Sequence, residues 1–513
     1  METRIEYLIP EIILLVAACV STIVGLSGKD ATRKLTQVLA ALGLALAFAA
    51  SLGLLGNAAS FAAIASLPHA KYFNPQYISI LACGIGFLSV LAAWDMPSKN
   101  DPVRTDTENR GEFYGMMLFS LAGVSMIGKV NDLVWLFLVL ELVSIPTYIL
   151  VATGRAQLIA QEAGVKYFFL GALAAAIFLF GFSYLYGYSG STRFEEIAAY
   201  FATHPMSPLA LIGLLMVILG IAYKIAAVPL HFYTPDVYQG AATPVTAFLA
   251  FAPKAAGFVA IISMLSLFSF DYTTTYGHAI QALLTVMAIL TMTIGNVLAL
   301  LQRNIKRMLA YSSIAHSGYM LVGLVAGPGA IGDSGDGPRA TLFYLGGYAL
   351  MNLGAFAALI YMQGKADAAE DLDDIAGISK DHPVAALLMT LCLFSLIGMP
   401  ATVGFLGKLY IVQAALATGH ITLAIIMMIN AAIAAAYYLK IVAAMYLRDP
   451  LYPFVVRPKL PVKVAALVCT LAVVALGVAP FPLFNVTQSP RLNPVPTPAL
   501  NAPVTTPVAV NAK

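Results

Sequence analysis

Residues 223 to 258 read YKIAAVPLHFYTPDVYQGAATPVTAFLAFAPKAAGF, and two of them, Lys224 and Lys254, decide how the whole chain is read. Both lie in sequence otherwise apolar enough to be buried in lipid, and a proline interrupts the helix beside each, Pro229 and Pro253. A charge at mid-depth in a bilayer costs roughly 2.5 to 3.5 kcal/mol on insertion scales, so function is the first explanation for keeping one there. Broken helices at that depth are tolerated only where protein or a water-filled cavity receives the freed backbone groups. The stretch therefore predicts a polar axis enclosed in a bundle of membrane helices.

The rest of the chain fits such a bundle. Of 513 residues, 60% are hydrophobic and 10% charged, against about 25% charged in an ordinary soluble domain, and the mean hydropathy is +0.85. The fold class expected is all-α and integral to a membrane. Runs near the length needed to cross a hydrocarbon core fall at about 11–27, 36–57, 77–95, 113–128, 132–153, 164–188 and 207–230. They continue at about 241–269, 278–301, 309–327, 340–363, 383–418, 421–447 and 461–481, which makes about fourteen spans. The twelfth is too long for one straight helix, and Gly398, Pro400, Gly404 and Gly407 predict a break in it. Residues 485–513 form a Pro-, Asn- and Thr-rich tail without helical periodicity. The N-terminal METRIEYLIPEIILLVAACV lacks an A-x-A-like cleavage site and is read as a retained first span. A net charge of +3 gives no sign of nucleic acid as a partner. Cys19, Cys83, Cys392 and Cys469 each sit in an apolar run with no CxxC, so they are read as inert core thiols and not as zinc or iron–sulfur ligands.

Loop charge gives an orientation. Of the 28 lysines and arginines, seventeen fall in the loops joining spans 1–2, 3–4, 5–6, 7–8, 9–10, 11–12 and 13–14, and seven fall on the opposite side. The positive-inside rule then puts both termini away from the cytoplasm. The four left over, Lys224, Lys254, Lys408 and Lys440, lie inside spans. Among the 25 acids only Glu141 is well inside one, about nine residues or some 13 Å from its start.

Desolvation lets a buried lysine release its proton near neutral pH, and a nearby carboxylate restores the charged form. Lys224 is thus a switchable carrier if Glu141 approaches or leaves it. Glu141, Lys224, Lys254 and Lys408, with His231 and His316 between them, have the chemistry of a proton relay. Each has a plainer alternative. Lys440 is about eight residues from Arg448 and fits a side chain that snorkels to the membrane surface. Glu141 could serve only to hold helices together, and either histidine could be a hydrogen-bonded packing residue. Asp132, after Asn131 at a span's start, reads as a helix cap.

Two motifs fail on their details. GVSMIGKV (Gly123–Val130) approaches a phosphate-binding loop but has Val130 where a magnesium-binding Ser or Thr is needed. GPGAIG (Gly327–Gly332) fits GxGxxG but follows a membrane helix, so it reads as a turn. The acidic AEDLDDIAGISKD (Ala369–Asp381) reads as a solvated loop without calcium-site spacing.

The 223–258 stretch, with KYFFLGALAAAIFLFG (Lys166–Gly181), RNIKRMLAYSSIAHSGYMLVG (Arg303–Gly323) and GMPATVGFLGKLY (Gly398–Tyr410), resembles the subunit N family of bacterial NADH-quinone oxidoreductase, respiratory complex I. These are antiporter-like membrane subunits related to Mrp-type sodium/proton antiporter proteins. The resemblance implies fourteen helices and two inverted five-helix repeats, spans 4–8 and 9–13, with spans 7 and 12 discontinuous. It divides the chain into an N-terminal three-helix segment (1–112), the two repeats (113–270 and 271–448), a C-terminal helix (449–484) and the irregular tail (485–513). Carried over by residue, the functional glutamate–lysine pair falls on Glu141 and Lys224, the central lysine on Lys254, the second-channel lysine on Lys408 and the bridging histidine on His231. Ala242 stands where the family usually has proline, a change expected to alter a turn and not the chemistry.

The resemblance also implies a non-redox subunit that binds no flavin, iron–sulfur cluster, quinone or NADH itself. Its partners would be other membrane subunits of complex I, neighbouring antiporter-like ones among them, and lipid, in the bacterial inner (plasma) membrane. Other readings stay open: a Mrp-type cation/proton antiporter subunit, a structural subunit whose charges fix helix register, or the same subunit in a complex fed by ferredoxin or another donor.

Overall fold

A computed structural model of the chain describes residues 6–27, 29–55, 67–94, 110–155, 157–329, 336–363, 370–450 and 460–487. It is helical throughout, with no strand among the described residues. In chain order the long helices are α1 (Ile9–Gly25), α2 (Leu35–Leu55), α3 (Pro75–Ala92), α4 (Arg110–Met126), α5 (Leu133–Thr153) and α6 (Leu158–Ser189). Span 7 is split into α7a (Pro208–Lys224) and α7b (Thr234–Gly240), and span 8 into α8a (Thr243–Leu249) and α8b (Ala252–Ser266). Then come α9 (Thr275–Leu300), α10 (Ile305–Ala326), α11 (Gly337–Met362), the split α12a (Pro383–Ile397) and α12b (Val403–Ala417), α13 (Ile421–Leu447) and α14 (Leu460–Val478).

Eleven of these spans, among the described residues, are long and apolar enough to cross a membrane unaided. Adding α4 and the two split spans 7 and 12 makes the fourteen expected.

Buried fractions sort the helices into a centre and a shell. The most apolar windows of spans 8, 10 and 11 are 100%, 94% and 89% buried, whereas those of α1, α2 and α14 are 33% buried. The outer helices turn leucine, isoleucine and valine outward, as at Leu42, Leu46, Leu467 and Leu471. Lipid tails are as apolar as leucine, so close packing and polar contacts, not apolar burial, hold the centre together. α10 carries Ser312, Ser313, His316 and Ser317 on turns that never reach the outside. It comes so close to α9 that a Cβ on Gly318 would strike the Met292 backbone.

The breaks have local causes. α7a stops at Lys224 because Ala226 takes a left-handed φ of 56° and Pro229 has no N–H to offer. The freed groups find partners: Tyr233 donates to Tyr223 O at 2.8 Å, and Val228 N donates to Thr291 Oγ1 at 3.0 Å. α12a ends on Gly398, whose φ of 97° suits glycine, and the chain re-enters a helix at Val403. Pro146, by contrast, sits inside a continuous α5.

Several expectations need correction. Span 8 carries only a local irregularity at Ala250–Phe251, where both residues keep right-handed helical angles, beside the Pro253 expected to interrupt it; it still runs as one span from Thr243 to Ser266, so spans 7 and 12 are the discontinuous ones. α6 begins at Leu158, which puts Lys166 on the helix instead of in a loop. Cys19 is exposed on α1, and Cys392 and Cys469 both border Gly354, so the thiols are neither all core nor all separate. Residues 485 and 486 close a short helix, Phe481–Val486, while 488–513 and the end of the GPGAIG motif lie outside the described residues. Ala242 has φ −61° at the head of α8a, a value that a proline ring also adopts.

Candidate functional site

The site begins where α5 meets the end of α7a. Lys224 is 4% exposed, and its ammonium has three donors to place. It donates to Ser144 Oγ at 2.5 Å, Glu141 Oε1 at 3.2 Å and Leu140 O at 3.3 Å. The carboxylate is therefore one acceptor of three, and the side chain of Glu141 keeps 18% of its surface open. Such a pair can part while the lysine stays solvated by the hydroxyl and the carbonyl.

Lys254, in the first turn of α8b, reaches back to the same break. Its Nζ donates to Ser317 Oγ at 2.5 Å, Ser313 O at 2.7 Å and Ile225 O at 3.2 Å. Ile225 is the residue after Lys224, and Ser317 also donates to its carbonyl, at 2.6 Å. One backbone carbonyl thus joins the two lysines' surroundings, at the negative end of α7a where a cation is favoured. A small cavity lies between the two side chains, bordered by Tyr167, Tyr233 and Tyr238, with room for about one water molecule.

From Lys254 the polar line continues along α10. Tyr348 donates to Ser313 Oγ at 2.9 Å, and its ring lies 5.1 Å from the ring of His316. His316 is held at both nitrogens, Nδ1 with Tyr344 Oη at 2.5 Å and Nε2 with Tyr438 Oη at 3.0 Å. A neutral imidazole held this way can accept a proton at one nitrogen and release one from the other. Tyr319, edge-on to His316 at 5.4 Å, presents its ring 5.2 Å from Lys408 Nζ. Lys408 closes the line on α12b by donating to Leu396 O at 2.9 Å and Ile397 O at 2.7 Å, the last carbonyls of α12a.

Five of the expected residues, Glu141, Lys224, Lys254, His316 and Lys408, thus lie in one series, buried except for part of Glu141. Among the described residues no carboxylate pairs with Lys254 or Lys408.

Comparison with known proteins gives this series a family. The model for "NADH:quinone oxidoreductase/Mrp antiporter, TM" matches residues 130–434, more than half of the chain. NADH-quinone oxidoreductase subunit N of Paramagnetospirillum magneticum is 36% identical over 484 residues, 93% of this chain and 95% of its own. The chain belongs to the subunit N family. Its namesake from Rhodospirillum rubrum is 40% identical over 375 residues, 73% of this chain and 75% of the relative. A solved chain in respiratory complex I from Thermus thermophilus with bound aureothin superposes with a TM-score of 0.73 at 29% identity, covering 93% of this chain and 98% of that one.

Within this subunit N chain, two expected residues stay outside the series. His231 sits partly exposed between α7a and α7b; among the described residues its Nδ1 has no hydrogen-bond partner, and no hydrogen bond joins it to a lysine of the series. Lys440 donates to Gln302 O at 3.1 Å beside the α9–α10 turn, as a lysine near a span end does. Asp132 is the cap expected, accepting from Val134 N at 2.7 Å and Trp135 N at 3.3 Å.

Reasoning from charge missed the tyrosines and serines that connect the amines. The available signal was Ser313 and Ser317, four apart in an apolar span and so on one face. It also missed two groups at the basic-loop end of the bundle. Glu370 Oε1 takes Arg155 Nη2 at 2.6 Å and Lys306 Nζ at 3.1 Å, and Lys306 also donates to Ala241 O at 2.9 Å, between α7b and α8a. Asp236 of α7b takes Arg307 Nη1 at 2.7 Å and Lys166 Nζ at 3.1 Å. Burial alone would raise the Glu370 carboxyl, but Lys306 and Arg155 outweigh it and hold it below its ordinary value.

Proposed function

We propose that this subunit translocates protons through Glu141, Lys224, Lys254, His316 and Lys408, driven by quinone reduction in partner subunits of NADH-quinone oxidoreductase. The observation that carries the reading is the shared Ile225 carbonyl, which draws Lys254 to the end of the helix that Lys224 terminates. When Glu141 withdraws from Lys224, the ammonium loses its counter-charge and yields its proton across the cavity towards Lys254. From there Ser313, Ser317 and the tyrosine-held imidazole of His316 offer the steps to Lys408. Moving one charge against 100 mV requires about 2.3 kcal/mol, which a change of about fifty-fold in proton affinity supplies.

The same reading treats residues 113–270 and 271–448 as inverted repeats, each centred on a broken helix. It puts the chain in the bacterial inner membrane with both termini on the non-cytoplasmic side, since the basic loops share one end of the bundle. It makes the protein a non-redox subunit of a translocase, with neighbouring antiporter-like subunits as partners and with flavin, iron–sulfur clusters and quinone held elsewhere. A Mrp-type exchange of sodium for protons is the second reading, since the matching family model spans both classes. Sodium-dependent proton flux from the chain without a redox partner would favour that reading. The test of the first is Lys224→Ala in the assembled enzyme, with quinone reductase activity and proton pumping read together. The variant loses pumping if the relay runs as described; normal pumping rejects it.

A further inference from the structure

A second buried carboxylate–amine pair lies at the far end of the bundle from the basic loops. Glu11, in the first turn of α1, is fully buried, and Lys129, in the turn Ile127–Lys129 between α4 and α5, is 7% exposed. Lys129 Nζ donates to Glu11 Oε1 at 2.6 Å and to Tyr7 O at 2.7 Å. Ser79 of α3 also donates to Glu11 Oε1, at 3.1 Å, and Ser125 of α4 makes a short hydrogen bond to it. Three donors therefore crowd one carboxylate oxygen, while Oε2 is enclosed with no partner. His69 bonds Gly128 O through Nε2 at 2.8 Å, which makes Nε2 the donor and leaves Nδ1 a second enclosed acceptor without a donor. A buried acceptor left without a donor is destabilising, and a proton or a water that carries one relieves it.

The link to the relay is α8b. Lys254 opens this helix, all of whose residues are buried, and the helix packs against both the Ile127–Lys129 turn and the Pro68–Lys71 turn that bears His69. Ser263, about 13 Å further along at 1.5 Å per residue, has an enclosed hydroxyl without a partner. The titratable groups within reach of Glu11 are Lys129, Tyr7 and the Cys83 thiol of α3. α2 carries no charged residue, and Arg110 and Glu112 are at the opposite end of α4.

Resting on the relay reading above, we infer that Glu11 and Lys129 form a second proton-exchanging pair, a terminal branch fed from Lys254 along α8b by way of Ser263 and water. In the step, the Lys254 ammonium gives up a proton to become a neutral amine, and Glu11 Oε2 takes one up to become a carboxylic acid. Glu11 then releases the proton on the side of the membrane where α1 begins, and no other bond changes.

The test is infrared difference spectroscopy on the assembled complex in membranes, with and without turnover, in wild type, Glu11→Gln and Lys254→Met. The branch gives a carboxylic C=O band during turnover that is lost in Glu11→Gln and no longer responds to turnover in Lys254→Met. Protons pumped per electron pair fall in Glu11→Gln at matched amounts of complex. Should that variant not assemble, Glu11→Gln with Lys129→Met, which leaves no unpaired buried charge, is read in its place. A pair that only pins α1 to the α4–α5 turn gives no such band and an unchanged pumping ratio, and that result overturns the branch while the relay stands. Normal pumping in Lys254→Met overturns the relay itself, whatever Glu11 does.

Discussion

The two breaks that carry the relay are built alike and charged differently. At each, carbonyls at the end of a first half-helix accept from a lysine ammonium: that of Ile225, just past α7a, from Lys254, and those of Leu396 and Ile397, the last of α12a, from Lys408. Among the described residues only the first break also has a carboxylate at hand, Glu141, bound to Lys224. At the second break the helix-end dipoles must stabilise the charge alone, with the Tyr319 ring 5.2 Å away. The difference teaches that the breaks have separate tasks. In the relay proposed above, the first would be switched by moving one side chain, whereas the second would hold whatever proton arrives.

The largest effect expected from breaking this contrast is that of Lys224→Ala. Removing one member of a buried pair costs about 3 to 5 kcal/mol, discounted here because Glu141 keeps part of its surface open. Pumping should be lost, and the melting temperature of the complex should fall by less than a sealed pair would give. Lys408→Met comes next. It leaves the carbonyls of Leu396 and Ile397 without their donor, at about 1 to 3 kcal/mol each. Hydrogen exchange at residues 396–403 should accelerate while Glu141 and Lys224 stay paired; unchanged exchange would show that the lysine is not the cap of α12a.

A smaller effect is expected at the basic-loop end. The depressed Glu370 carboxyl contributes stability that is complete above its unfolded value near 4.5 and is lost as pH falls through the lower folded value. Thermal stability followed from neutral pH down through that window should fall more in wild type than in Glu370→Gln. Equal slopes would mean that Arg155 and Lys306 do not hold the loop by charge. The smallest is Lys440→Met, whose amine, among the described residues, donates to Gln302 O at a helix end. Its pumping should match wild type, and the stability change should stay within about 0.5 kcal/mol.

How much of this was legible in sequence follows from what sequence patterns encode. Fourteen spans and the breaks at Pro229 and Pro400 could be read because apolar length and proline act locally. Lys224, Lys254 and Lys408 stood out because a charge in an apolar run is rare. Glu11 did not stand out: three residues into its helix it looks like a solvated end, and only the packing of α3 and α4 around it shows that it is sealed. His231 shows the reverse case. The resemblance implied a bridge there, but the chain turns after Ala226 and leaves His231 away from the lysines, while His316 lies among them because Tyr344 and Tyr438 arrive from distant spans. Contacts that hang on three separate helices leave no mark at any one position.

Lys254 is where the two halves join, since its amine touches both the end of α7a and the serines of α10. The most direct measurement is therefore the number of protons pumped per electron pair by assembled complex carrying Lys254→Met, at matched amounts of enzyme. The relay requires that ratio to fall well below wild type; a ratio equal to wild type contradicts it.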